Sequence, residues 1–334
     1  MAKVRIGIVG CGKIADCNHI PGYLASKQAK IVAVCDIVPE KMETEITKHN
    51  LGNVDRYTSF DEMLKADNID AISICTPNDL HYPMTIAALK KGWHVLSDKP
   101  MAFDTDKCTK MIEAAEKADR ILQINHSWHY NSIGYKFRDL IAQGKIGELT
   151  GASCVSCATQ PPHIAWSPGA DWFVQAAHEG SLIQDIGVHL AELMQWLSGN
   201  RILEVASYTT TRFPGIDVVD NVVAILKFDN GAFGTLELSW TDPIGGFQFY
   251  LKGTEGAIFI DNAWKLYYQK KGAKKAREIK QRESRLNSQC NFVAAIRGRS
   301  ICRTPGQTGR EAIAICNAIT KSGQTGKFEK VKQF

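Results

Sequence analysis

Short apolar runs alternate with helical periodicity along the first third of the chain. Each run is bounded by turn residues, and each is followed by a segment whose apolar residues recur three or four positions apart. Strand-helix repetition of this kind predicts a parallel sheet covered by helices on both faces. The predicted strands are 4–9, 31–35, 69–75, 93–97 and 121–124, and the predicted helices begin near Lys13, Lys41, Asp79 and Asp104.

A different pattern follows residue 125. Alternating apolar and polar positions separated by glycine turns, notably Asp229-Asn230-Gly231, predict a mostly antiparallel sheet. The chain is therefore predicted to be α/β, with a doubly wound Rossmann domain over 1–125 and an α+β domain over 126–334 whose late helices pack back on the first domain. The later strands are predicted at 148–158, 203–211, 218–228, 232–240, 247–252 and 257–260, and the later helices at 132–143, 288–297 and 310–321.

Composition is that of ordinary globular protein. The chain has 334 residues, of which 44% are hydrophobic and 22% charged, which is enough for two domains. The N-terminal residues lead directly into the first strand without the apolar core of a signal peptide, so we expect a cytoplasmic protein with no membrane segment. The 10 cysteines are scattered, and some, such as Cys35 and Cys75, lie in buried apolar runs, which is typical of reduced thiols.

The net charge of +5 is mild, and much of it lies in a basic cluster between Lys265 and Arg285 that includes Lys270, Arg277 and Arg282. A solvated loop or helix face explains this cluster, because a nucleic-acid surface needs a stronger basic stripe and a recognisable module. We therefore expect no nucleic-acid partner.

A glycine-rich turn joins the first predicted strand to the first helix. The segment Gly10-Cys11-Gly12-Lys13-Ile14-Ala15 matches the pattern G-x-G-x-x-A. Gly10 permits the tight turn, Gly12 lets the backbone approach a pyrophosphate, and Ala15 allows the helix to pack closely on the strand. The helix N-terminus adds N–H groups and the positive end of its dipole. This strand-turn-helix context predicts dinucleotide binding.

Asp36 ends the second predicted strand, about 20 residues beyond the glycine-rich turn. A carboxylate at this place can bind both ribose hydroxyls, and it repels a 2′-phosphate. The next residues, Ile37 and Val38, supply no group that would hold such a phosphate. NAD is therefore the predicted cofactor, in preference to NADP.

Two further strand ends carry polar residues. One apolar run ends in Thr76-Pro77-Asn78, where Asn78 is a candidate cap for the next helix, and another ends in Asp98-Lys99-Pro100. Because the carboxyl ends of parallel strands share one edge of a sheet, we expect Lys99 to project toward the bound ligand. The expected cofactor contacts are Gly10, Cys11, Gly12, Lys13, Ile14, Asp36, Thr76, Pro77, Asn78, His81, Asp98, Lys99 and Asn125.

With these motifs, the N-terminal half resembles the Gfo/Idh/MocA family of NAD(P)-dependent sugar and cyclitol dehydrogenases. The family usually has Glu-Lys-Pro where this chain has Asp98-Lys99-Pro100, a departure that keeps the Lys and the Pro. The resemblance implies a C-terminal open sheet with one face toward the cofactor domain. It also implies that the other face forms homodimer or homotetramer contacts.

Asp185 and His189 lie four residues apart in the segment from Gly180 to His189, so on a helix their side chains share one face and can converge on one ligand. The family's motif has a Gly pair followed by Asp, Gly and His at this spacing, and Ser181 here replaces the second Gly. The resemblance assigns Lys99, Asp185 and His189 to a sugar-binding catalytic cluster.

Oxidation of a secondary alcohol by NAD needs a base that titrates near neutral pH, and histidine is the side chain that does so without perturbation. We assign His189 as the general base, Lys99 as the cation that stabilises the developing alkoxide, and Asp185 as the acceptor for a neighbouring hydroxyl or for the imidazole. The alternative is that Lys99, desolvated beside the positive ring of the cofactor, is the base. The sequence leaves both assignments open.

The segment 160–179 is too long and too aromatic for an ordinary connection, which indicates a binding loop or lid. Sugar rings present apolar C–H faces, so we expect Trp166 and Trp172 to contact the substrate, together with His126 and Trp128 just past the last parallel strand. The alternative is a loop packed by its own aromatic residues.

Cys154 and Cys157 have the spacing of half a zinc or redox site. Both fall in a predicted strand, where residues three apart face opposite sides, and no second pair follows at zinc spacing. No metal site is predicted.

The sequence thus predicts an NAD-dependent oxidoreductase that acts on a ring hydroxyl of a sugar, glycoside or cyclitol. One alternative is a redox-neutral enzyme in which tightly held NAD transiently oxidises a glycoside. The other is a cofactor-binding regulator of the same fold that has lost its chemistry, a reading that intact Lys99, Asp185 and His189 speak against.

Overall fold

The computed structural model describes residues 2–281 and 287–334. The chain divides into two compact units, the first comprising Met1–His129 and Arg285–Arg310 and the second Tyr130–Ser284 and Glu311–Phe334. The division is therefore not a single cut near residue 125, because a late segment belongs with the N-terminal part of the chain.

The first unit is built on a parallel sheet. Ile6, Ile8, Val34, Ile72 and Val95 are fully buried in it, because a sheet with helices on both faces leaves neither face to water. Its neighbouring strands all run parallel, and the strand order reverses direction between the first and fourth strands, which makes a topological switch point. The strands are β1 (Val4–Val9), β2 (Ala29–Cys35), β3 (Asp55–Tyr57), β4 (Ala71–Ile74), β5 (His94–Ser97) and β6 (Leu122–Ile124), in the order β3-β2-β1-β4-β5-β6.

Helices connect the strands and close the core. The α-helices, in chain order, are α1 (Ile20–Leu24), α2 (Pro39–Lys48), α3 (Phe60–Met63), α4 (His81–Lys91), α5 (Thr105–Ala118), α6 (Ser132–Ala142), α7 (Pro162–Ala165), α8 (Val188–Ser198), α9 (Ser288–Ile296) and α10 (Gly306–Thr325). Turns of π-helix at Ala15–His19 and Ile183–Gly187 lead into α1 and α8, and 3₁₀ turns occur at Asn78–Leu80, Ser127–His129, Asp171–Val174 and Ala176–His178. Helix α9 belongs to the first unit, where its Phe292 and Val293 lie in the apolar core.

The second unit is built on a mostly antiparallel sheet. Its strands are β7 (Leu149–Cys157), β8 (Ile202–Thr210), β9 (Asn221–Phe228), β10 (Phe233–Ser239), β11 (Gly246–Gly253), β12 (Gly256–Ile260), β13 (Leu266–Lys270), β14 (Arg277–Glu278) and β15 (Glu329–Lys330), in the order β14-β13-β12-β11-β7-β10-β9-β8-β15. Strands β7 and β10 pair in parallel, and the other described pairs are antiparallel.

One face of this second sheet is buried and the other is open. On β9, Val222 and Leu226 are buried whereas Val223 and Ile225 are 53% and 51% exposed. Helix α6 packs on α8, and α8 on β7, so that these helices lie over the buried face. The predicted self-association through the open face stays a prediction.

This architecture confirms the predicted fold class, and it confirms the turn at Asn230 and Gly231 between β9 and β10. The sequence did not predict α3 or the short strands β3, β13, β14 and β15. These strands form because they pair with neighbouring strands. The solvated loop predicted for the basic cluster is confirmed for Lys271, Lys274 and Lys275, which are exposed between β13 and β14, whereas Lys270 ends β13 and Arg277 begins β14 at the sheet edge. Lysine and arginine protect such an edge against further strand pairing. Arg282 and Arg285 lie outside the described residues.

Within the residues described, none of the helices combines the length and the apolar character needed to cross a bilayer. The described residues include all 10 cysteines, and each thiol is free, as predicted. Burial raises the pKa of the Cys35 thiol to about 12, so this side chain behaves as a small apolar group.

Asp104 shows how the sequence starts a helix. Its carboxylate accepts hydrogen bonds from the backbone N–H groups of Asp106 and Lys107, at 3.0 and 2.7 Å, in the first turn of α5, where a helix supplies no carbonyl of its own to its N–H groups. We predict that Asp104→Ala lowers the free energy of unfolding by about 1 kcal/mol, measured by urea denaturation. Asp104→Asn keeps an acceptor at this place and should cost much less, and equal losses in the two variants would contradict the capping role.

Candidate active site

The predicted cofactor residues of the first unit gather at one edge of its sheet. Strands β1, β2, β4, β5 and β6 end at this edge, and polar or glycine positions follow each of them within two residues. Ligands of doubly wound sheets bind in the crevice outside the carboxyl ends, beside the switch point. The residues in question are Gly10, Asp36, Thr76, Asp98 and Asn125.

The glycine-rich turn fits a bound pyrophosphate. Gly10 has a φ of 87°, and a Cβ built on it would lie 2.6 Å from the carbonyl oxygen of Cys75, so both its conformation and the close approach require glycine. At Gly12 a built Cβ would meet no described atom within 4 Å, so the backbone there is open to approach. Ala15 is fully buried, and the π-helical turn begins at this residue.

Asp36 is tied directly to this turn. Its Oδ2 accepts a hydrogen bond from the backbone N–H of Cys11 at 2.8 Å, and its Oδ1 accepts one from Val38 at 2.9 Å. A carboxylate has about four lone-pair sites, so these two bonds leave acceptors for the two ribose hydroxyls. The sequence spacing predicted the ribose contact, and the structure adds that Asp36 also orients the glycine-rich turn.

The turns after β4 and β5 are held together by His81. Its Nδ1 lies 2.7 Å from the carbonyl oxygen of Pro100, and its Nε2 lies 3.0 Å from that of Thr76. A cofactor contact for His81 stays a prediction, since backbone carbonyls already occupy both ring nitrogens. The idea that Asn78 caps the next helix was wrong: Asn78 begins a 3₁₀ turn, and the N-cap position of α4 is Leu80.

Asp98 is buried and charged. Burial by itself raises the pKa of this carboxyl, but hydrogen bonds from His19 and Asn125 and the charges of His19 and Lys99 outweigh burial and lower the pKa to about 2. The amide Nδ2 of Asn125 donates to Asp98 Oδ1 at 2.8 Å. Its Oδ1 is buried without a hydrogen-bond partner in the described part of the chain, which fits an acceptor for a donor group of the dinucleotide.

The predicted catalytic pair of the second unit lies on a π-helical turn and the helix that follows. A Cβ on Gly180 would clash with the backbone carbonyl of Phe173, so glycine is needed there. Ser181, which replaces the family's second Gly, accepts a hydrogen bond at its Oγ from the backbone N–H of Gln184 at 3.2 Å. The replacement therefore caps the turn that carries Asp185.

Asp185 lies in the turn Ile183–Gly187 and His189 in α8, and both side chains are half-buried. Turns of π-helix inside α-helices occur frequently at functional sites. Lys99 belongs to the first unit and these two residues to the second, so their joint action on one substrate is a matter for the proposal below.

The aromatic segment 160–179 contains α7 and two 3₁₀ turns. Trp166 is 45% exposed, whereas Trp172 stacks on Phe173 with ring centroids 3.7 Å apart. In the first unit, His126 is buried and Trp128 half-buried just after β6. Their contacts with a substrate stay predictions.

Asp16, Glu45 and His49 form a second polar cluster, with ligand atoms within 4.8 Å of one another. The ammonium of Lys48 lies 2.6 Å from Asp16 Oδ1, and its hydrogen bond, with that of His49, lowers the pKa of the Asp16 carboxyl. Lys48 therefore supplies the counter-charge of this cluster. Cys154 and Cys157 both lie in β7, where only Cys154 is fully buried.

Sequence reasoning missed the buried line of side chains that leads to Asp98. His19 contacts Asp98, Ser73 is bonded to His19, Tyr23 is bonded to Ser73, and all three are buried. The available signal was the serine between two isoleucines in the apolar run of β4. A polar side chain buried in a parallel sheet needs a partner.

Models of known protein families match both units of the chain. The family described as "Oxidoreductase family, NAD-binding Rossmann fold" matches residues 4–126, and the "GFO/IDH/MocA C-terminal domain" matches residues 135–259. The chain is similar to 1,5-anhydro-D-fructose reductase of Ensifer adhaerens, with 25% identity and 98% of each chain covered. It is also similar to myo-inositol 2-dehydrogenase of Thermotoga maritima, with 23% identity and 99% of each chain covered.

Among solved structures, the fold matches the WlbA dehydrogenase from Bordetella pertussis, whose crystals contain NADH and UDP-GlcNAcA. The TM-score is 0.86 at 24% identity, and the match covers 99% of this chain and 100% of that one. The first unit of the present chain is therefore an NAD-binding Rossmann domain.

Asp36 should set the choice between NAD and NADP. We predict that the native protein binds NAD much better than NADP, and that Asp36→Ala narrows the gap, as measured by fluorescence titration of both cofactors. Asp36→Asn keeps one acceptor oxygen, for the N–H of either Cys11 or Val38, and removes the charge, so it should narrow the gap with less loss of NAD affinity than Asp36→Ala. Equal affinity of the native protein for both cofactors would refute the assignment.

Proposed function

Because the chain belongs to the Gfo/Idh/MocA family of NAD-binding oxidoreductases, we propose that it transfers a hydride between nicotinamide and a ring carbon that bears a secondary hydroxyl. The proposed substrate is a sugar, glycoside or cyclitol, in line with the names of the relatives. The observation that carries the proposal is the position of Lys99, two residues after the end of β5, at the carboxyl edge where doubly wound sheets bind their ligands. A lysine at this edge faces the bound ligand. A lysine that served only as a solvated surface residue would not need this position.

NAD, when bound, supplies the hydride acceptor, and the protein must manage the proton and the charge. His189 takes the hydroxyl proton, because an imidazole is the unperturbed side chain that exchanges protons near neutral pH. Lys99 stabilises the negative charge that develops on the oxygen as this proton leaves. Asp185 accepts a hydrogen bond from a neighbouring hydroxyl or orients the imidazole, and a screen of polyols for NADH release tests the reaction class.

Division of labour among these residues leads to a first prediction. Lys99→Ala and His189→Ala should each lower kcat by about 10²- to 10⁴-fold, because each removes a group that acts on the reacting oxygen. The affinity for NAD should stay nearly native. Lys90→Ala, at an exposed position in the last turn of α4, is the matched control and should leave both quantities unchanged. A native kcat in either active-site variant would remove that residue from the mechanism.

Substrate choice should depend on the aromatic segment 160–179. Lys99 and His189 must meet the reacting hydroxyl whatever else the ring bears, so discrimination has to come from groups that contact the rest of the ring. Trp166 and Trp172 combine flat apolar faces with polar neighbours, which suits the C–H faces of a sugar.

We predict that Trp166→Ala and Trp172→Ala each lower kcat/KM by about tenfold to a hundredfold and change the ranking among related polyols. Trp264→Ala, at a 51% exposed tryptophan outside this segment, is the control for a general effect of losing an indole. If both variants kept native efficiency and ranking with the fold intact by circular dichroism, specificity would have to come from His126, Trp128 and Tyr130.

A further inference from the structure

A line of buried polar side chains runs through the first unit to the residue that precedes Lys99. The hydroxyls of Tyr23 and Ser73 lie 2.7 Å apart, and Ser73 Oγ lies 3.0 Å from Nδ1 of His19. The other ring nitrogen, Nε2, lies 3.3 Å from Oδ1 of Asp98. Tyr23, Ser73 and His19 are at most 1% exposed, and Asp98 is 7% exposed. The line therefore joins α1, β4 and the end of β5 out of reach of water.

The hydrogen-bond donors and acceptors in this line can be assigned from the contacts of Asn125. The amide Nδ2 of Asn125 has two hydrogens, and it lies 2.8 Å from Asp98 Oδ1 and 3.1 Å from Asn18 Oδ1. Both of those oxygens only accept, so Asn125 has no hydrogen left for His19. The Nε2 of His19 lies 3.1 Å from this Nδ2 and 3.3 Å from Asp98 Oδ1, and we assign its hydrogen to the contact with Asp98, where an unprotonated nitrogen would face a carboxylate.

With a hydrogen on Nε2, His19 donates to Asp98 both as the neutral tautomer and as the imidazolium, and in the neutral tautomer it accepts at Nδ1. The acceptor at Nδ1 requires Ser73 to donate to it, and Ser73 in turn accepts from Tyr23. Every donor in the line is thus aimed toward the carboxylate of Asp98. Stability alone does not explain this arrangement, because an apolar side chain in place of a buried carboxylate avoids the cost of desolvating a charge.

We propose that His19 is a positioning residue for the reaction: it keeps the Asp98 carboxylate charged and in one orientation, and Asp98 in turn fixes Lys99 beside the reacting hydroxyl. The inference rests on the proposed function of Lys99 and deepens it. Asp98 is suited to this role because its backbone N–H is bonded to the carbonyl of Ile74 at 2.9 Å, so the turn that carries Lys99 starts from a fixed point.

Removal of His19 should raise the pKa of the Asp98 carboxyl. In the native protein the pKa of Asp98 is about 2, so the carboxylate stays charged at every working pH. Without His19, burial is opposed by Asn125 and Lys99, and the pKa of Asp98 must rise. The charged form is then lost as the pH falls through the raised pKa. The thiols of Cys75 and Cys17 also face Asp98, and both remain neutral acids in this range because burial raises their pKa.

The test compares two variants of His19. His19→Leu removes both ring nitrogens, whereas His19→Gln keeps an N–H donor at a reach similar to that of Nε2. We expect His19→Leu to lower kcat about tenfold or more and to move the acid limb of the kcat profile to higher pH, while the affinity for NAD stays near native. His19→Gln should recover most of kcat and restore the acid limb.

Two further variants separate positioning from stability. His94 lies at the opposite end of β5, where its Nδ1 accepts a hydrogen bond from the N–H of Ile121 at 3.0 Å. His94→Leu should lower the Tm without moving the acid limb. If His19→Leu does not fold, Ser73→Ala removes the donor to His19 Nδ1, and it should give a smaller shift of the same sign.

Infrared spectroscopy measures the protonation of Asp98 without any turnover. Infrared difference spectra across about pH 4 to 8 should show the carbonyl stretch of a protonated buried carboxyl in His19→Leu. The band should be absent from the native protein and from the double variant that also carries Asp98→Asn. Native kcat, a native acid limb and no such band in folded His19→Leu would overturn the inference. Failure of the native protein to reduce NAD with any polyol tested would instead contradict the proposed function, and the infrared measurement would still decide the charge of Asp98.

Discussion

The carboxylate of Asp98 is buried just after β5 and stays charged because donors from two other parts of the first unit, His19 and Asn125, point at it. A parallel sheet covered on both faces makes this possible, since its interior excludes water and strengthens each hydrogen bond to the charge. The same burial would neutralise the group if the donors were removed. The structure of the sheet edge that carries Lys99 therefore depends on how completely hydrogen bonds and positive charges compensate the charge of Asp98.

The residues proposed to bind the cofactor and to carry out the reaction lie on both units. The first holds the glycine-rich turn, Asp36 and Lys99 at the carboxyl edge of its sheet, and the second holds Asp185 and His189 on a π-helical turn and its helix. The NAD-binding Rossmann domain lies in the first unit and follows from a local motif. The proposed transfer of a proton and a hydride uses residues of both units, and experiments on turnover must decide it.

Long apolar strands and the glycine-rich turn could be predicted from the sequence because their signals are local: a run of Val and Ile, or glycines at fixed spacing before a helix. Strands β3 and β15 could not, because two or three residues of strand have no periodicity of their own and form by pairing with a neighbour. The contacts of His19 were also out of reach. Its partners Ser73 and Asp98 lie 54 and 79 residues away, and only the folded sheet brings them together.

Direct transfer of hydrogen from the substrate carbon to NAD tests the central claim most directly. The protein would be incubated with NAD and a panel of sugars and cyclitols deuterated at their ring carbons, and the reduced cofactor would be analysed by mass spectrometry. The account predicts reduced cofactor one mass unit heavier with at least one labelled ring carbon, and none from Lys99→Ala under the same conditions. Reduced cofactor without the label, or no reduction with any member of the panel while NAD is bound, would contradict it.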